Sequence, residues 1–219
     1  MTDEAGTPTR GEKRESPERL LYFTDAVVAI ALTLLVIDLP LPAADTEHAF
    51  FKSIQVNDGH YLAFVVSFVV VAMAWRSHKR MSALIVRGDS SFEVRTLIWL
   101  FTVALIPFAT KLLTVGHHAS MVVHACCYGF YALVEATSSL MVVLSLHHAR
   151  RVGQIEMEDL KEASDLQRSS LGRTIGFALS IPIFFLTMAA WVVWIIVPLT
   201  FGSLTRLARG RSRREEVLQ

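Results

Sequence analysis

Two carboxylates lie where carboxylates are costly to keep. Asp25 falls inside an apolar run, RLLYFTDAVVAIALTLLVIDL, that extends from Arg19 to Leu39, and Glu135 falls near the middle of another, Ser120 to Leu146. An ionisable side chain in a hydrocarbon setting is retained mainly where it faces protein or water, pairs with another group, or holds a proton. Asp25 is therefore a functional candidate. Glu135 has two equal readings, an acid in a proton relay or one end of a structural hydrogen bond to a neighbouring helix.

The other reactive residue types point to little. His117, His118 and His124 fit no common zinc spacing and fall at the ends of apolar runs, where polar residues are expected at an interface. Cys126 and Cys127 are adjacent, so they suggest neither a disulfide framework nor a metal site and read as small packing residues. No Gly-rich phosphate loop, metal-spaced Cys/His set or nucleophile elbow occurs. Enzyme chemistry has no support, and no cofactor, metal or nucleic-acid partner is expected.

The elements that carry the two acids are membrane spans. Of 219 residues 53% are apolar, the mean hydropathy is +0.44, and the apolar residues come in blocks rather than at amphipathic spacing. The run from Arg19 is about one membrane thickness long, since a span needs roughly 20 residues. It could instead be a signal peptide cut near Pro42-Ala43-Ala44, but it carries Asp25 and exceeds a typical signal core. Further spans are expected at Tyr61 to Trp75, at Thr96 to Val115 with a kink at Pro107, and at Ser120 to Leu146. The block from Thr174 to Thr205 holds no charge and would be about 48 Å long as one helix, so it reads as two short spans turning near Thr187 to Ala190.

Six spans with a cytoplasmic amino terminus put all but Lys52 and Lys111 of the 21 Lys and Arg on the cytoplasmic side, a bias that an odd number of spans would destroy. Both termini are then cytoplasmic. Residues 1–18 read as a disordered tail, 19–207 as the membrane domain and 208–219 as a basic tail. The outer segment from Asp38 to His60 is acidic and reads as a solvated loop whose field would favour cations at an outer mouth.

Projection of the first span at about 100° per residue gathers Arg19, Phe23, Ala26, Ile30, Thr33, Leu34 and Ile37 on one face. Asp25 lies about 140° from Ile30, near Val28 and Leu32, and points toward the protein's own helices. Trp75 and His78 close the second span among Arg76, Lys79 and Arg80, as interfacial anchors do. His78, Arg76 or Arg95 could reach Asp25 and offset its burial, and the sequence does not choose among them.

The pattern Arg19-x-x-x-Phe23-Thr24-Asp25, followed by Ala26 to Val36, resembles the signature of the lysosomal-type potassium channels, the transmembrane protein 175 family. Thr24 stands where Ser is usual, and Lys79 stands where a second His often follows the one at His78. Trp75-x-x-His78, Pro107-Phe108 and the closing proline-bearing hairpin are similar to the single-repeat prokaryotic members. The resemblance implies an all-α, six-span, homotetrameric channel in the cell membrane, bathed in membrane lipid, that passes K+ without a carbonyl-lined filter. It also implies a constriction at Ile30, further apolar rings at Leu34 and Ile37, and a hydroxyl ring at Thr33. Arg19, Phe23, Thr24 and Asp25 are then structural or gating residues, with Trp75 and His78 as motif partners. A proton-coupled or other secondary transporter using Asp25 and Glu135 is the competing reading.

Overall fold

The computed structural model describes residues 12–43, 45–86, 88–114 and 120–184, with side chains from residue 19 onward. Six α-helices occur among them, and no strand: α1 (Glu12–Ile37), α2 (Glu47–Val56), α3 (Asp58–Leu84), α4 (Ser90–Leu113), α5 (Met121–Val152) and α6 (Leu160–Phe184). Arg19–Ile37 of α1, together with α3, α4 and α5, is long and apolar enough to cross a membrane. The expected turn at Thr187 to Ala190 and the sixth span lie outside the described residues, as do His117 and His118.

Helix ends correct one expectation and add to what hydropathy shows. The acidic segment after Asp38 is not all loop, because Thr46 caps α2 by accepting the Ala49 amide at 3.1 Å. No residue of α2 is buried, and the segment that leads into it is held where Tyr61 of α3 donates to the Pro40 carbonyl at 2.8 Å. The stretch between the fourth and fifth spans is also mostly helix. α5 continues to Val152 and stops where Gly153 takes φ 71°, a left-handed setting that glycine adopts without steric cost; α6 starts soon after, at Leu160. Hydropathy ends a span where polar residues begin, but backbone hydrogen bonds do not require the helix to end there.

The core lies between α3, α4 and α5, where Val71, Met81, Trp99, Val103, Ile106, Tyr131, Val142 and Leu146 are almost fully buried. α6 packs along α5, and α1 lies against α4 and α3. Contact with α1 comes from Thr24, Val28, Ala31 and Leu35, all buried and spaced at helical intervals. Of the adjacent cysteines, Cys126 is exposed and Cys127 half-buried, so only Cys127 fills space within the subunit.

Asp89 fastens the turn between α3 and α4. Its Oδ1 accepts the Phe92 amide at 2.8 Å as the N-cap of α4, and its Oδ2 lies 2.7 Å from Nε2 of His148 on α5. Partial burial pushes this carboxyl up, but the His148 ring and the Phe92 amide outweigh that and hold it below the ordinary carboxylate range. The fastening is therefore present at neutral pH and lost as pH falls through the depressed value. Amide exchange in residues 88–92 should accelerate in that acid range, and Asp89→Ala should exchange fast at every pH; equal protection in the two proteins would reject the role.

Candidate functional site: an uncovered face of the first helix

α1 has one covered face and one bare one. Opposite Thr24, Val28, Ala31 and Leu35 stand Phe23, Ile30, Thr33, Leu34 and Ile37, all exposed, with Ile30 59% and Ile37 75% accessible. These are the residues that the helical projection placed together. Thr33 donates its hydroxyl proton to the Ile30 carbonyl one turn back, at 2.8 Å, which leaves the oxygen lone pairs facing outward as acceptors. Thr24 belongs to the covered side and donates to the Leu21 carbonyl. Arg19 is exposed at the start of the run.

Asp25 is exposed at the edge between the two faces, rather than buried as the sequence led us to expect. Its Oδ1 accepts the indole N–H of Trp75 at 2.7 Å, and Lys79 places its ammonium 5.1 Å from the centre of the same indole. The partner is thus the neutral donor rather than one of the nearby cations. The sequence held a signal for this, since an indole N–H has no acceptor capacity and usually finds an acceptor when its ring packs. His78 is instead buried flat against Trp99, with centroids 4.1 Å apart, and Arg76 is exposed. Trp75→Phe and Asp25→Ala should each lower the melting temperature in detergent, since each removes the indole–carboxylate hydrogen bond. The double variant should be little worse than either single one, because both remove one hydrogen bond. Additive losses would show that the two residues act independently.

Glu135 is buried on α5 and its partner was not anticipated. Arg173 of α6, which the sequence reading put on the cytoplasmic side, is also buried and is the charge that acts on Glu135. The Arg173 guanidinium donates to Ser77 of α3 at 2.8 Å and to Ser170 at 2.9 Å. Arg173 directly precedes the long uncharged block, and an arginine at the threshold of such a block can be drawn inward by a buried acid. His124 keeps its Nδ1 3.2 Å from the Ser120 carbonyl, and no cluster that could hold a metal ion occurs among the described residues.

Fold and site together define an all-helical, multi-pass membrane protein whose first helix is held on one side only. A family model described as "Endosomal/lysosomal potassium channel TMEM175" matches residues 19–107, and over α1, α3 and most of α4 the chain carries the pattern of the TMEM175 family. A protein named a potassium channel from Streptomyces collinus is 29% identical over 137 residues, which cover 63% of this chain and 66% of that one. The rat endosomal/lysosomal proton channel TMEM175 is 28% identical over 112 residues, 51% of this chain and 21% of that one. The matched stretches thus span just under two thirds of the bacterial relative and about a fifth of the rat protein. The crystal structure of a lysosomal potassium-selective channel TMEM175 homolog from Chamaesiphon minutus superposes with a TM-score of 0.72 at 22% identity, covering 86% of this chain and 97% of that chain. That likeness establishes the fold. The family and relatives are described as channels, not enzymes.

Proposed function

We propose that this chain forms a passive, potassium-permeable cation channel in the cell membrane, with both termini cytoplasmic and α1 lining the pore. The observation that carries the reading is the bare stripe of Phe23, Ile30, Thr33, Leu34 and Ile37 beside a well-packed opposite face. One stripe cannot enclose a pore, so several copies must close a ring about a common axis, and a homotetramer fits a single-repeat chain. In such a ring Ile30 forms the constriction and gates by dewetting, while Leu34 and Ile37 add apolar rings above it. The Thr33 oxygens, with their protons turned into the helix, replace part of the ion's hydration. Asp25 and Trp75 fix the angle of α1 against α3. The potassium channels among the relatives support the ion, K+ being the permeant species rather than a resident cofactor.

Purified protein in a planar bilayer under asymmetric potassium and sodium tests this. A reversal potential near that of potassium, at single-channel rates, is expected; saturable slow flux requiring a second ion would favour a carrier. The proton channels among the relatives, and the buried Glu135, give a second reading in which protons are also carried. Asp25 serves that reading poorly because its carboxylate is engaged by Trp75.

A further inference from the structure

A chain of hydroxyls runs through the subunit away from the bare face of α1. At the end of the molecule carrying Asp38, helices α1, α3 and α4 border a partly open cavity of about 30 Å³, room for a water, lined by Asp38, His60, Lys111 and Thr110 among others. Thr110 Oγ1 lies 2.8 Å from Ser67 Oγ, which lies 3.1 Å from the Tyr131 hydroxyl. Thr110 Oγ1 also lies 2.8 Å from the Ile106 carbonyl. Because each hydroxyl has one proton and can also accept, the chain has two complete settings. In one, Tyr131 donates to Ser67, Ser67 to Thr110, and Thr110 to the carbonyl. In the other, Thr110 donates to Ser67 and Ser67 to Tyr131, which frees the phenol proton to turn along α5.

Glu135 stands there, one helical turn beyond Tyr131 and near enough for its charge to act on the phenol. Its Oε1 has no hydrogen-bond partner among the described residues. Beyond it is Arg173, whose guanidinium does not release its proton, so a proton that reaches Glu135 goes no further. Among the described residues, Arg173 on α6 is the charged group acting on Glu135 and Tyr131 is the titratable neighbour on its own helix; α3 and α4 add no charge that acts on it.

We propose that Glu135 is a proton-binding site loaded from the Asp38 end through Thr110, Ser67 and Tyr131, apart from the stripe on α1. Water in the cavity gives a proton to Thr110 as the Thr110 proton passes to Ser67, the Ser67 proton to Tyr131, and the Tyr131 proton to the carboxylate. Each hydroxyl ends neutral, and hydroxide is left in the cavity for solvent to neutralise. Loading neutralises the acid on which Arg173 acts. The site does not require the channel reading, because its occupancy can be read without conductance.

Infrared difference spectra of the protein in lipid vesicles after a pH drop provide the test. The wild type should show the carbonyl band of a buried carboxylic acid, and Glu135→Gln should lack it. Tyr131→Phe and Ser67→Ala keep the acid but break the chain, so the band should reach its full height roughly tenfold to a hundredfold more slowly, the scale on which a positioned proton carrier acts. A band that survives in Glu135→Gln overturns the proposal, and so does one that forms at the wild-type rate in both chain variants. Should Glu135→Gln fail to fold, the two rates decide alone.

Discussion

Ile30→Asn is expected to raise single-channel conductance about tenfold and to weaken the preference for potassium, which corresponds to about 1.4 kcal/mol removed from the barrier. In the proposed ring the isoleucines offer an ion no replacement for its hydration shell, whereas amides in their place would keep water in the constriction and let hydrated sodium through. The control is Val28→Asn. Val28 lies two residues back and about 160° around the helix, where it is buried against the bundle. There the same amide is trapped without room for water, and on the order of 2 kcal/mol of stability is lost through missing packing and an unsatisfied polar group. Bilayer recordings of the first variant and thermal melts of the second check both. Equal leakiness in the two, or unchanged conductance in Ile30→Asn, would make the stripe a lipid-facing surface and remove the residue-level support for a pore.

Arg173→Leu is expected to destabilise the folded protein by about 2 kcal/mol, since it removes the charge that acts on the buried Glu135. Replacing both, in Arg173→Leu with Glu135→Leu, should recover much of that loss, because two apolar side chains require neither solvation nor a partner. Ser77 and Ser170 lose their guanidinium in either variant, so the comparison isolates the charge from its hydrogen bonds. Denaturation in detergent measures the difference. A double variant as unstable as the single one would mean that Arg173 acts through packing and hydroxyl contacts, not through Glu135.

The sequence carried the bare face of α1 because a straight helix converts residue spacing into direction with no further information. It carried three more spans through their uninterrupted apolar runs, and the recognisable motif around Asp25 pointed to the family that the comparisons returned. It did not carry the extent of the helices, since α5 and α6 continue past the apolar runs on local hydrogen bonding. Nor did it carry the partners of the acids. Whether Asp25 meets an indole or a guanidinium depends on how α1 and α3 are rotated against each other, a tertiary property. The burial of Arg173 was not legible because counting basic residues by side assigns them a side of the membrane and says nothing of whether they are solvated. Ser67, Thr110 and Tyr131 come from three helices, and nothing in their local sequence announces that they meet.

Of the helices fit to cross a membrane, α1 is the one its own subunit holds least, with little more than a fifth of its span buried against 61% for α5. A newly inserted chain therefore has α4 and α5 well packed and a first helix still short of neighbours. If copies of the chain close a ring as proposed, association completes the packing of that helix and maturation becomes a second-order process. The melting temperature should then climb with the protein-to-lipid ratio, as mass action requires of any native state stabilised by its own kind.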